Sequence, residues 1–358
     1  MVYLLITHVV GIAGGLLAKK FRVPAGAMLG AIAFIVVLNV STGFSEEYPV
    51  ALRVGIQITS GIIFGLTFTR ADVLFMRRLF KSVLMLAGIM IGLNVLFSFI
   101  MAQLTFLTPI TALLAAAPAG FVEMGLMAGE VGADAEYVAL LQIFRFIFVV
   151  SVMPFVVRRV LAKSVPPSEQ KPVEAPKPEE SAKKESPPAK GFDRKKILLA
   201  LLTVFCATAG GLFARWLGVP AGGIIGSITA TILLNAGAQK AWFPRKRARV
   251  VVQIFAGCYI GSLFTTSTLA SLQFLVLPMA ILIVQLLLMT FLTAAVLTRF
   301  SPMDKATCLF SSVPGGVTEM GIIAEEMGLD VPKIIMMQTC RLVVVIFTMP
   351  FLLYLLFG

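Results

Sequence analysis

The sequence predicts an all-α polytopic membrane protein made of two repeats of inverted topology, with about ten full spans and two re-entrant or broken helical hairpins. Three observations predict this architecture. Hydrophobic residues make up 58% of the 358 residues, charged residues only 13%, and the mean hydropathy is +0.96. The first half of the chain recurs in the second half, and the distribution of basic loops reverses between the halves.

Six apolar elements precede a polar linker. The chain begins without the basic segment and the small-residue cleavage site of a signal peptide, so its first apolar run is expected to remain as a span. The element that contains Pro118 is short once it is divided at that proline, and we predict a broken segment there. The six elements cover residues 2–18, 23–40, 50–69, 80–106, 110–130 and 137–157.

The composition changes abruptly at residue 161 to a mixture of Pro, Glu, Lys, Ser and Ala. Such a segment cannot bury enough apolar surface to offset the entropy of ordering, so it is expected to be a flexible tether. We therefore divide the chain into a first membrane repeat at 1–160, a flexible cytoplasmic linker at 161–196 and a second, inverted membrane repeat at 197–358.

The second repeat follows the first without a gap. A shift of 196 positions pairs Gly14 with Gly210, Pro24 with Pro220, Asn39 with Asn235, Gln57 with Gln253, Pro118 with Pro314, Glu123 with Glu319, Gln142 with Gln338, Arg145 with Arg341, and Pro154 with Pro350. Chance does not keep one register over this distance. The chain is an internal duplication, as in many transporter folds.

The basic loops reverse between the copies. In the first copy the loop between the second and third elements carries Glu46 and Glu47, and basic residues follow the first and third elements. In the second copy the loop between the second and third elements is basic, from Lys240 to Arg249, and the loop after the third element is uncharged. Because cytoplasmic loops are enriched in Lys and Arg, this reversal predicts repeats of opposite orientation.

Placing every basic loop in the cytoplasm gives a multi-pass protein of the inner cell membrane with a cytoplasmic linker and both termini outside. Each copy then crosses the membrane an odd number of times, although it has six apolar elements. A re-entrant broken segment removes the conflict and is preferred. The alternative, a broken segment that crosses the membrane while another element does not, stays open.

Composition argues against several classes of function. The formal net charge of +12 is explained by the basic loops, so nucleic-acid binding is not expected. The single histidine and the four scattered cysteines form no metal-ligand pattern, so no metal, no other cofactor and no enzymatic activity are expected.

The strongest candidate site is the pair of broken motifs. Helices that restart inside the membrane after such turns present free N–H groups, which suit an anionic group. Ionisable residues at this depth are rare, so Glu123 and Glu319 either bind a coupling proton or cation or simply cap their helices. The candidate residues are Pro118, Ala119, Gly120, Glu123 and Met124 in the first copy, and Pro314, Gly315, Gly316, Thr318, Glu319 and Met320 in the second.

A glutamine and an arginine share one face of the last element in each copy: Gln142 with Arg145, and Gln338 with Arg341. A guanidinium inside a membrane must be paired or hydrated. The arginines therefore either pair with the glutamates of the broken motifs or meet a carboxylate of the solute. As secondary candidates, Gln57 and Gln253 either line a polar path or form hydrogen bonds between helices.

The doubled pattern of VPAG, then PAGFVEMG or PGGVTEMG, then Gln and Arg, resembles the membrane AbrB duplication family, some of whose members have been labelled ammonia monooxygenases. The family is similar to cation–proton antiporters and anion transporters. The resemblance implies a secondary transporter. The inverted duplication with its paired broken motifs leads us to expect alternating access, in an elevator-like manner, for a small anionic or zwitterionic solute.

The expected partners are the lipid bilayer, the solute, a coupling proton or cation, and a second copy in a homodimer. A membrane sensor or interaction protein that affects gene expression indirectly is the alternative function, and a membrane enzyme is the third.

Overall fold

The computed structural model describes residues 2–21, 23, 25–43, 48–68, 70–164, 194–237 and 241–357. Within these ranges the chain is helical and contains no strand, which confirms the all-α class. Of the predicted linker at 161–196, residues 161–164 and 194–196 are helical and residues 165–193 lie outside the described residues. The loop residues Arg22, Pro24, Glu46, Glu47 and Lys240 also lie outside them.

Eight helices form each copy within the described ranges. Those of the first copy are α1 (Val2–Lys20), α2 (Gly26–Thr42), α3 (Val50–Gly65), α4 (Arg70–Leu104), α5 (Pro109–Ala116), α6 (Phe121–Ala128), α7 (Ala135–Ser151) and α8 (Met153–Ser164). Those of the second are α9 (Arg194–Trp216), α10 (Gly222–Ile232, continued by a π-helical turn at Leu233–Gly237), α11 (Arg245–Ser262), α12 (Thr266–Ala270, followed by a 3-10 turn at Ser271–Leu275), α13 (Val276–Phe300), α14 (Lys305–Ser312), α15 (Val317–Glu326) and α16 (Val331–Phe357).

The helix bounds recur at the 196-residue shift, with two differences. The fourth helix of the first copy, α4, is continuous, whereas its counterpart is divided into α12 and α13. The last element is divided in the first copy, where α7 and α8 meet at an angle of 42°, whereas α16 runs on through Pro350. The sequence predicted one uninterrupted element at 137–157, and the break at Val152 makes that prediction wrong for the first copy.

Five helices among the described residues are long and apolar enough to cross a membrane, and a sixth is added when α7 and α8 count as one bent span. This finding agrees with a membrane protein. The apolar helices α2, α3 and α10 are shorter, with the first two at 17 and 16 residues. At a rise of about 1.5 Å per residue, 16 residues extend about 24 Å, which is less than a hydrocarbon core of about 30 Å.

The helices pack as two bundles. The scaffold bundle contains α1, α2 and α3 with α9, α10 and α11, and the core bundle contains α4, α5, α7, α13, α14 and α16. Contacts between the copies are reciprocal: α2 packs on α11 while α10 packs on α3, and α4 packs on α13. Such reciprocity indicates a pseudo-twofold relation between the repeats.

Small residues and amides fix the scaffold bundle at equivalent points. A Cβ on Gly61 would lie 1.9 Å from Ser227 Oγ, and one on Gly257 would lie 2.7 Å from the Met28 carbonyl oxygen, so both positions require glycine for close packing. The side-chain amide of Asn39 donates to the carbonyl oxygens of Gly261 and Phe264, each at 3.2 Å. Asn235 makes the equivalent bonds to the end of α3, to the carbonyls of Leu66 and Phe68.

Candidate functional site

Both broken motifs adopt one backbone geometry. The helices before the breaks, α5 and α14, are capped by Thr108 and Asp304. The side chains of these two residues accept hydrogen bonds from the backbone amides three residues ahead, at 3.3 and 2.9 Å. The residues that precede α6 and α15 are extended and nearly identical, with φ −73° and ψ 141° at Gly120 and φ −72° and ψ 142° at Gly316. Each proline motif therefore ends one helix and restarts another.

The glutamines satisfy carbonyl groups that the breaks release. The last carbonyls of a helix have no partner within the helix, and leaving them unpaired inside a membrane is costly. Gln142 Nε2 lies 2.7–3.2 Å from three such oxygens, and Gln338 Nε2 lies 2.8–3.5 Å from the equivalent three. These oxygens belong to Leu114, Ala115 and Ala117 in the first copy and to Phe310, Ser311 and Val313 in the second.

Each arginine binds the last of these carbonyls and one further carbonyl, two residues along the chain. Arg341 donates from Nη1 to the Val313 oxygen at 3.0 Å and from Nη2 to the Gly315 oxygen at 2.7 Å. Arg145 makes the equivalent two bonds to Ala117 and Ala119. The two side chains are 1% and 5% exposed, so each guanidinium clamps a break from inside the protein.

This arrangement bears on the two roles considered for the arginines. The ion pairs within 4.0 Å among the described side chains join Arg215 to Glu130 and Lys333 to Asp330. Glu123 and Arg145 do not form such a pair, and the donors of Arg145 are directed at carbonyl oxygens instead. In the first copy the donors of the arginine therefore hold the backbone of the break rather than the Glu123 carboxylate.

Glu123 lies in the first turn of α6 and is 4% exposed. Its carboxylate folds back over the start of the helix, because a Cβ placed on Gly120 would lie 1.8 Å from Glu123 Oε2. A negative charge is favoured at this end of the helix dipole. In the second copy the backbone of Thr318 and Glu319 is helical, but their side chains lie outside the described part of the structure.

The two breaks meet at one cavity of about 190 Å³. The first copy contributes Ala119, Gly120, Glu123 and Arg145, and the second contributes Pro314, Gly315, Gly316 and Arg341. Gln253 also lines it. Residues that the sequence places 196 positions apart thus come together at a single site between the bundles.

The other predicted residues whose side chains are described are buried and do not line the cavity. Pro118, Gln142 and Gln338 are buried in or beside the breaks. Met124 and Met320 pack in the core, where a Cβ on Gly315 would lie 2.7 Å from Met320 Cγ. Gln57 is buried away from the cavity lining and donates to Glu130 Oε1 at 3.1 Å.

Several lining residues were not among the predicted site residues, notably Ser60, Thr339 and Arg249. Arg249 could have been found, since the shift of 196 pairs it with Arg53 inside the third element, where a charge is unusual. Ser60 has Ala256 as its counterpart, so the repeat carries no signal for it.

The charges of the lining favour an anion. Arg145, Arg249 and Arg341 face one described acid, Glu123, and the other walls are mainly apolar, with Met28, Phe64, Phe146 and Leu342 among them. A concave site with apolar walls and a few converging polar groups is the usual form of a small-molecule site.

The chain is similar to one protein family, over two ranges, and to two relatives. The family model described as "Transition state regulatory protein AbrB" matches the chain twice, at residues 1–161 and 162–357. A Bacillus subtilis (strain 168) protein, "Uncharacterized protein YhjN", is 24% identical over 274 residues, which cover 74% of this chain and 68% of that protein. An Escherichia coli (strain K12) protein, "Putative regulator AbrB", is 27% identical over 240 residues, which cover 65% of this chain and 62% of that protein.

The successive family matches divide the chain near the same point as the duplication, and together they span nearly all of it. The chain therefore belongs to the AbrB family, in the form that carries the family sequence twice.

Proposed function

We propose that this protein is a secondary active transporter that moves a small anionic or zwitterionic solute by alternating access. The observation that carries the proposal is the single cavity at which both broken helices and both buried arginines meet. Broken helices that meet between two repeats are the usual construction of a transporter binding site.

The solute class follows from the cavity. Two helices restart there, with Gly120 and Gly316 at their N-termini, and the described lining has more arginines than acids. The apolar walls suit a solute with a short hydrocarbon part. Glu123, buried at the start of α6, supplies a group that could bind a coupling proton or cation, and Glu319 is its sequence equivalent.

The membrane arrangement that fits this function has about ten full spans and two broken hairpins in inverted repeats. The short helices α2, α3 and α10, together with α11, then cross a thin or locally deformed bilayer beside six longer spans, one of which is α7 with α8. With the basic loops in the cytoplasm, the proposed arrangement has a cytoplasmic linker, both termini on the outer side, and the inner cell membrane as its location. Reciprocal packing of α2 on α11 and α10 on α3 supports this view.

In this proposal the core bundle with its broken helices moves against the scaffold bundle in an elevator-like manner. The scaffold includes α3 and α11, which pack with the first two helices of the opposite copy, rather than the first two elements of each repeat alone. The remaining partners proposed are the bilayer, the coupling ion and a second copy of the chain, and we propose neither a nucleic-acid partner nor an enzymatic activity.

The test is uptake by proteoliposomes across a panel of small carboxylates, amino acids and phosphate, with imposed pH and sodium gradients. We expect gradient-driven uptake of one class, and we expect Glu123→Gln and Glu319→Gln to abolish the coupling. Glu325→Gln is the matched control because Glu325 is exposed on α15. Absence of gradient-driven flux for every solute, with normal ligand binding by both variants, would contradict the proposal.

A membrane sensor is the second candidate, and the descriptions of the family and of the Escherichia coli relative as regulators favour it. A sensor would bind a ligand in the same cavity without transporting it. Recording equilibrium binding as well as uptake on the same proteoliposomes distinguishes the two functions. A membrane enzyme, the third candidate, predicts a metal or flavin that elemental analysis and an absorption spectrum of the purified protein would detect.

A further inference from the structure

The segment after α6 is fastened to the scaffold bundle through Glu130. Its Oε1 accepts hydrogen bonds from Arg215 Nη1 at 2.6 Å and from Gln57 Nε2 at 3.1 Å, and its Oε2 accepts one from the Ala221 backbone amide at 2.7 Å. The side chains of Glu130 and Arg215 are 19% and 32% exposed, so the pair is partly shielded from water. We call this group of four residues the Glu130 latch.

The latch joins the two copies. Glu130 follows the broken helix of the first copy, whereas Arg215 and Ala221 flank the turn between α9 and α10 of the second. Ala221 immediately precedes α10 and has a φ of 53°, a left-handed conformation, and its amide donates to Glu130. Nearby, Arg53 donates to the Gly129 carbonyl at 3.4 Å, and the Tyr259 hydroxyl donates to the Gly125 carbonyl at 3.5 Å.

The second copy contains the same chemical parts. A shift of 196 replaces the four latch residues, in order, by Glu326 for Glu130, Lys19 for Arg215, Gln253 for Gln57 and Ala25 for Ala221. Ala25 has a φ of 51°, almost the value of Ala221. The duplication has therefore preserved an acid, a cation, a glutamine and a left-handed amide in each copy. The side chain of Glu326 lies outside the described part of the structure.

Two of the three receiving residues of the second set face the cavity, and the third, Lys19, is not part of its lining. Ala25 and Gln253 line it, as do Arg249 and Ile63, which are the equivalents of Arg53 and Tyr259. Thus several residues that contact α6 or the segment after it in the first copy have counterparts that line the cavity. Both restarted helices pack mainly on the last element of their own copy, α6 on α7 and α15 on α16, and α6 makes further contacts with α3 and α11.

We propose that the Glu130 latch seals one face of the cavity, and that in the opposite state Glu326 forms an equivalent latch with Lys19, Gln253 and the Ala25 amide. Only one latch is closed at a time, because the movement of the core bundle that closes one opens the other. Two states that exchange equivalent contacts are close in free energy, as a transport cycle requires. With the orientation proposed above, the structure has its outer face closed and its cavity directed to the cytoplasm.

The inference rests on the proposed function for the meaning of the two states, but its test needs no transport. Ser60→Cys places a thiol in the cavity lining. The four native cysteines at 206, 258, 308 and 340 are first replaced by serine or alanine. A membrane-impermeant maleimide is then applied to right-side-out and inside-out vesicles, and the ratio of the two labelling rates is the readout.

We expect Glu130→Gln to shift this ratio about tenfold towards the outer face, since hydrogen bonds to a charged group contribute enough to change an equilibrium by that factor. Glu326→Gln is expected to shift it in the opposite direction. Arg215→Gln, which keeps the carboxylate, is expected to act like Glu130→Gln and guards against a folding defect of one variant. Glu325→Gln, next to Glu326 and exposed, is expected to leave the ratio unchanged.

An unchanged ratio in both Glu130→Gln and Arg215→Gln, or a shift of Glu326→Gln in the same direction as Glu130→Gln, would overturn the latch proposal. Failure of the transporter proposal looks different. Opposite shifts without uptake of any solute would retain the latches and remove transport, whereas normal uptake with no shift would remove the latches alone.

Discussion

The two breaks are held alike, but the segments that follow them differ. In each copy a glutamine and an arginine of the last element bind carbonyls at equivalent positions of the break. Beyond the break, Glu130 is bound to the opposite copy, whereas two of the equivalent receiving residues, Ala25 and Gln253, line a cavity. The bonds that hold the breaks are therefore the same in both copies, while the contacts of the segment after the break depend on how the bundles are placed.

A second difference lies inside the first break. Gln285 of α13 donates to the Ala116 carbonyl at 3.0 Å, so the second copy helps to hold the break of the first. The position equivalent to Gln285 is Ile89, which has no donor. Among the described residues the bond from Gln285 therefore has no counterpart at the second break, and this asymmetry can be measured.

The largest expected effect tests what the two breaks share. Arg145→Met and Arg341→Met each leave one buried carbonyl, that of Ala119 or Gly315, without a donor, at about 1–3 kcal/mol. Each variant also loses a charged hydrogen bond of about 1.5 kcal/mol to the Ala117 or Val313 carbonyl, which keeps its glutamine donor, so we expect a loss of about 2.5–4.5 kcal/mol of unfolding free energy. Denaturant titration in detergent micelles measures it. The losses should be similar in the two copies.

Arg299→Met is the control, since Arg299 is exposed at the end of α13, and its change should stay within about 0.5 kcal/mol. Destabilisation by only one of the two core variants would contradict the view that the breaks are held alike.

The next effect concerns the glycine before each restarted helix. Gly120→Ala would place a Cβ against Glu123 Oε2 and should lower the unfolding free energy by about 1–3 kcal/mol, although its φ of −73° suits alanine. In a Glu123→Ala background the same change should cost much less, so a double-mutant cycle isolates the contact. Gly88→Ala is the matched control, because a Cβ there meets no atom within 4 Å.

Gly316→Ala extends the comparison to the second copy. The matching backbone angles of Gly120 and Gly316 lead us to expect an equal coupling with Glu319. A cycle with no coupling in the second copy would show that the two glutamates are placed differently.

The smallest effect tests the extra bond of the first break. Gln285→Met removes the donor to Ala116 while roughly keeping the volume, and it also removes a buried amide oxygen that has no hydrogen-bond partner. We expect a loss of about 1 kcal/mol of unfolding free energy. Ile89→Met at the equivalent position removes no hydrogen bond and should change it less. Equal losses would argue that Gln285 acts by packing rather than by its bond.

Much of the fold was visible in the sequence. Apolar runs and prolines placed the breaks near Pro118 and Pro314, and the constant shift of 196 related the helices that the structure shows. The division between α7 and α8 was not predicted. Pro154 near this division and its equivalent Pro350 give the same sequence signal, yet α16 continues through Pro350. A proline predicts a weak point but not whether packing keeps the helix continuous there.

The site was less predictable than the fold. The sequence showed that Gln142 and Arg145 lie on one helix face and that both require polar partners inside a membrane. The expected partner of the arginine was a charged group. Their actual partners are backbone carbonyls, which every residue has and which leave no mark in the sequence. Contacts across the copies, such as Glu130 with Arg215, also lack a local pattern.

The sequence by itself determined the class of the protein, its duplication and the two motifs that interrupt helices, since these depend on hydropathy, on proline and on repetition along the chain. Only the tertiary structure decided that both motifs open on one cavity, that the arginines clamp carbonyls, and that one copy is fastened to the scaffold where its counterpart lines the cavity. The physical reason is that these features depend on the relative position of two bundles, whereas helix breaks depend on neighbours in the chain.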